Sequence, residues 1–254
     1  MSHFVGLCFG DNWENDLEQY YEGLEVEPYI HRTKEEAIEK AKKHHTENYE
    51  YAVKKLESDT LTPEDRDFYT DVVNEGCSLT DEEAWEKVQN WGYKIDDEGN
   101  LLTTYNPDSK WDWYSIGGRW DDGDNVVQLK NFKLYDDLDD DTISLYKRAW
   151  DSFEGKCELS EEDSNAIFGG FRLYNDKYYL DRYGTCENYI KAMSSNIPYA
   201  FVDGNGWYEK GQMGWFGCDN ATQKSIEDYT EFAEKYFTAK ENQNKYIVWV
   251  DCHI

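Results

Sequence analysis

Tyr246-Ile-Val-Trp-Val-Asp-Cys-His253 closes the chain, and His3-Phe-Val-Gly-Leu-Cys-Phe9 stands near its start. Both are short apolar runs rich in β-branched and aromatic residues, and Gly10-Asp11-Asn12 turns the chain after the first. That composition specifies strands. Apolar strands at both ends place the two termini in one sheet, mixed or antiparallel. Side chains alternate along a strand, so Asp251 and His253 share one face and Cys252 takes the other. An aspartate can orient a histidine as a general base, or the two can hold a metal together with His3 if the terminal strands are neighbours. Asp251 and His253 are therefore the catalytic candidates. The plain alternative is a buried strand whose polar groups are satisfied.

Between these ends, local signals mark helices. Thr33-Lys-Glu-Glu36 and Thr80-Asp-Glu-Glu83 fit capping boxes, and Thr62-Pro63 is a cap followed by proline at the first helical position. The first helix is expected to reach about Glu57 and the third Gly92. Further helices are expected over 139–153, from Ser160, over 185–195 and over 222–239. The last carries Ile226, Tyr229, Phe232, Ala233 and Tyr236 on one face. Hairpins are expected over 93–105, 171–180 and 199–208, with strands at 25–30 and 126–135. The reading is a single α+β domain over 1–254, with 33–92 as a helical subdomain or insertion. His44-His45 falls on a polar helix and is expected to be solvated.

The 254 residues include 54 acidic and 26 basic ones, for a net charge of −28. A phosphate backbone repels such a chain, so direct nucleic-acid backbone binding is not expected. The acid either keeps the protein soluble or faces a partner with a basic surface. No stretch approaches membrane-spanning length, and the start lacks a basic segment followed by an apolar run. Six cysteines without a CxxC pair are expected to be free thiols in a reducing cytoplasm. No metal and no cofactor are expected, since phosphate-loop, dinucleotide, nucleophile-elbow and HExxH fingerprints are all missing. His31-Arg32-Thr33 matches one HxT element of two-histidine phosphoesterases, but that chemistry needs two.

The ten Trp and 21 Tyr are unevenly placed. One concentration is Tyr105-Asn-Pro-Asp-Ser-Lys-Trp-Asp-Trp-Tyr-Ser-Ile-Gly-Gly-Arg-Trp120. There Gly117-Gly118 permits a close backbone approach, and Arg119 can stack and present a planar fork to an anion. The second concentration is Pro198-Tyr-Ala-Phe-Val-Asp-Gly-Asn-Gly-Trp-Tyr-Glu-Lys-Gly-Gln-Met-Gly-Trp-Phe-Gly217. If the two meet, Arg119, Trp111, Trp113, Tyr114, Trp120, Asp203, Trp207, Glu209 and Trp215 form an aromatic, acid-lined pocket suited to a nucleotide. The alternative is an aromatic core with Arg119 paired to an aspartate.

Within these two concentrations, the strings from Asn106 to Trp120 and from Gly206 to Gly217, followed by the closing Val250-Asp-Cys-His-Ile254, resemble, in order, the signatures of a family of phage and prophage proteins. The resemblance spans roughly the C-terminal 60% of the chain and leaves 33–92 outside it. It implies a phage-type accessory protein in a bacterial cytoplasm and carries over no catalytic residue. Three functional expectations follow. The first is counter-defence: inhibition of a host system, such as a CRISPR effector or restriction enzyme, through an acidic and aromatic surface. The second is an enzyme or sponge that takes a nucleotide around Arg119. The third is a structural phage component.

Overall fold

The computed structural model describes residues 2–58, 60–120, 123, 125–214 and 217–254, apart from the side chain of Trp120. Along the chain run β1 (His3–Phe9), α1 (Trp13–Glu18), β2 (Tyr29–Arg32), α2 (Lys34–Leu56), α3 (Pro63–Asn74), α4 (Asp81–Gln89), β3 (Lys94–Ile95) and β4 (Leu101–Thr103). Then follow β5 (Trp113–Ile116), β6 (Val126–Gln128), α5 (Asp140–Phe153), α6 (Glu161–Phe168), α7 (Asp176–Tyr183), α8 (Cys186–Met193), β7 (Ala200–Asp203), β8 (Gly206–Glu209), α9 (Gln223–Thr238) and β9 (Tyr246–His253). The protein is mixed α+β, and it divides into two compact units, residues 1–24 with 106–254 and residues 25–105.

The larger unit is built on the terminal strands. β1 pairs antiparallel with β9 over its full length, from His3 opposite His253 to Phe9 opposite Ile247. β7 runs parallel to β1 on its other side, and the sheet order is β5-β9-β1-β7-β8, with β6 also pairing β9. Alternation then divides the residues between two cores. Phe4, Cys8, Val248, Val250 and Cys252 pack with Leu17 of α1, while Leu7, Phe9, Ile247 and Phe201 pack with Tyr229, Ala233 and Phe237 of α9. A third cluster joins α5 to α8 around Trp150, Phe153 and Tyr189.

In the smaller unit, Thr33 and Thr80 close complete capping boxes and Thr62 caps a helix with proline at its start. Ala37, Ala41, Ala84, Val88 and Leu101 form its core. Small residues on α2 let α4 approach closely. The helices sit with a three-stranded sheet in the order β2-β4-β3.

Several expectations are corrected. Residues 171–180 do not form a hairpin: Asn175 caps α7, its Oδ1 accepting the Tyr178 N–H at 3.0 Å. His45 is buried, not solvated, and its Nε2 lies 3.0 Å from the Gly76 carbonyl, which ties α2 to the chain after α3. The strand expected over 25–30 is displaced to β2, and the one over 126–135 stops at Gln128, where a 3-10 turn begins. α1 and β5 carry no periodic signal, being only six and four residues long. All six cysteines are free.

Candidate functional site

The register of three strands creates a polar row on the sheet face that α9 covers only in part. His3 of β1 and Trp113 of β5 both lie opposite His253 of β9, and Ser115 and Val5 flank Asp251 one step along. The three rings pack together. His253 stacks on Trp113 at 5.0 Å and 18°, and His3 meets His253 edge-on at 4.9 Å.

Each imidazole has its own carboxylate. Asp251 Oδ1 lies 2.8 Å from His3 Nδ1, and Asp112 Oδ1 lies 2.6 Å from His253 Nδ1. An ionised carboxylate only accepts, so both Nδ1 atoms carry the proton and both Nε2 atoms are left basic when the rings are neutral. Asp251 is the hub of the cluster. Its Oδ2 accepts the Arg119 backbone N–H at 3.4 Å and lies 3.5 Å from Arg119 Nε. Gly118 permits this approach, because a Cβ there would stand 2.3 Å from Asp251 Cβ.

Burial is graded across the cluster. Asp251 and His253 are buried, His3 is partly exposed, and the side chains of Asp112 and Arg119 are 37% and 55% exposed. His253 Nε2 is shut off from solvent without a hydrogen-bond partner among the described residues. Leaving a buried acceptor unsatisfied costs about 1–3 kcal/mol, so such a group calls for a physical reason. Cys252, on the opposite face, is fully buried, and burial together with Asp251 drives its thiol well above the usual range. It is inert as a nucleophile. Among the described residues no group of three histidine, cysteine or acidic side chains is arranged to hold a metal ion.

The described residues expected to form one pocket are distributed over four places. Arg119 and Trp113 join the histidine cluster. Trp111 is buried, stacked on Tyr21 at 4.8 Å, with its Nε1 donating to the Leu17 carbonyl, and Tyr114 packs edge-on against it. The two aromatic segments do meet, but at Lys110, whose Nζ lies 2.8 Å from Glu209 Oε1. Trp207 Nε1 donates to the other oxygen of Glu209 at 2.9 Å, beside a shallow cleft that Tyr20 also lines. Asp203 is buried on the other face. It accepts the Tyr236 hydroxyl and the Asn205 backbone N–H, and it closes the turn between β7 and β8. Trp215 lies outside the described residues, as does the side chain of Trp120.

Sequence reasoning named Asp251, His253 and Arg119 but left out Asp112 and placed His3 only conditionally. The available signal for Asp112 was its position beside Trp113, inside the first aromatic concentration. The chain matches no family model, no curated protein and no solved structure in the three comparisons made. The functional reading therefore rests on the geometry.

Proposed function

We propose that this chain is a phage-type accessory protein that binds a nucleotide at the His3–His253–Arg119 cluster and acts on its phosphate by general acid–base catalysis. The observation that supports this reading is the pair of adjacent imidazoles, each held on Nδ1 by its own aspartate, with the buried Nε2 of His253 lacking a partner. With one ring neutral and the other protonated, one imidazole takes the proton of the attacking oxygen and the other gives a proton to the leaving oxygen. Arg119 brings a positive charge beside the phosphate as negative charge develops on it. Trp113, 46% exposed, offers a face on which a base can stack. The partly exposed His3 meets the ligand first, and the ligand must part the cluster to reach His253.

The test is a thermal-shift and turnover screen of linear and cyclic nucleotides. Arg119→Ala is expected to abolish binding and leave the circular dichroism spectrum unchanged. His253→Gln is expected to lower kcat by about 10²–10⁴ while binding persists. No stabilising nucleotide, or full turnover by the His253 variant, would overturn the proposal.

A second reading, inhibition of a host defence protein with a basic surface, draws on the −28 charge and on the exposed Phe171 and Leu173. It predicts a salt-sensitive complex on co-purification from host lysate, and binding indifferent to salt would count against it. A structural phage role has no comparable support from the geometry.

A further inference from the structure

A second site is marked by a lysine that makes no direct ion pair among the described residues. Residues of α7, α8 and α9, with the approach to β7 and the end of β8, enclose a cavity of about 430 Å³. That volume falls in the range of small-molecule sites. Ile197, Pro198 and Ile226 supply apolar wall, and three cations line the cavity. Two of the three are committed. Arg182 makes a bidentate pair with Asp219 at 2.8 and 3.0 Å, and Lys191 Nζ lies 2.7 Å from Glu234.

Lys210 differs. Its ammonium lies 5.1 Å from the centre of the Tyr199 ring, and no carboxylate pairs with it among the described residues. The same residue also lines a neighbouring cavity of about 520 Å³ that borders Val5 and Trp249. Burial and the nearby Arg182 push its ammonium down to about 8, against the opposing pull of Asp219, whose carboxylate is held by Arg182. The carboxylates of the wall are already engaged. Glu234 also accepts the Tyr135 hydroxyl, Glu231 takes Lys235, and Glu227 accepts from Asn188 and Gln223. Their charge repels a dianion but leaves room for a single negative charge at Lys210.

We propose that this cavity binds a small organic monoanion, a carboxylic acid with an apolar body, whose carboxylate pairs with Lys210 and whose hydrocarbon lies against Ile197, Pro198 and Ile226. This site is separate from the histidine cluster and does not depend on the nucleotide reading.

Octanoate and octanol are the probes, titrated calorimetrically into the full chain. Octanoate is expected to bind saturably at one site and octanol not at all. Lys210→Met is expected to weaken octanoate by about tenfold or more, the loss of one charge pair. Ile226→Trp fills the cavity without touching the lysine and is expected to weaken octanoate similarly. Failure of octanoate to saturate, equal binding of octanol, or wild-type affinity in either variant overturns the proposal.

Discussion

Gly118 shows how one residue type sets the geometry of the histidine cluster. Its φ of +54° lies in the left-handed region, and a Cβ would collide with the Asp251 side chain. Gly10 has a φ of +87° but open space where its Cβ would be. Gly118→Ala is therefore expected to lose about 1–3 kcal/mol in urea unfolding and to displace Asp251 from His3. Gly10→Ala is expected to lose only the conformational part, about 1 kcal/mol. Equal losses in the two variants would mean that the approach of Asp251 is not what requires the glycine. The glycine pair was legible in the sequence as a place of close approach. What it approaches was not, because Asp251 lies more than 130 positions away along the chain.

The elements read correctly from sequence are those whose signals are local. Thr33, Thr62 and Thr80 each place a side-chain oxygen on an amide three residues on, and the structure contains all three caps. The segment 171–180 shows where the same chemistry is ambiguous. Asn175-Asp176 between aromatic residues fits a hairpin turn and a helix start equally well. Packing decides between them: as a helix, α7 stacks Tyr179 on Phe153 at 4.5 Å and delivers Arg182 to Asp219. Asn175→Ala is expected to lower stability by about 0.5–2 kcal/mol in thermal unfolding. No loss would mean that the cap contributes nothing and that packing alone holds α7.

At the scale of the whole molecule, the aromatic composition becomes a dependence on pH. Burial holds the thiols of Cys8 and Cys252 and the hydroxyls of Tyr199, Tyr229 and Tyr236 protonated above their ordinary values. The folded chain therefore keeps protons that the unfolded chain releases, from the ordinary thiol value of 9.0 and the ordinary phenol value of 10.0 upward. Their stabilising contribution is complete below pH 9 and is lost as pH rises through the raised values. Lys210 acts in the opposite sense between about 8 and its ordinary 10.5, where the folded chain holds fewer protons than the unfolded one. One lysine opposes five groups, so the melting temperature is expected to fall steadily from pH 9 to 11, with the two buried thiols unreactive until unfolding. A flat profile would mean that these groups are open to solvent.

The sequence by itself determined the strands at both termini, the alternation that puts Asp251 and His253 on one face, and the capped helices. Each is encoded within a few residues by periodicity or by a side chain bonding its own backbone. Only the tertiary structure decided that β1 lies beside β9 in a register that sets His3 against His253, that β5 brings Trp113 and Asp112 to the same row, and that the two aromatic segments meet at Lys110. Strand pairing joins residues as far apart as His3 and Asp251, 248 positions along the chain. Its register follows from how both sheet faces fill their cores, a sum over the whole unit that no local pattern carries.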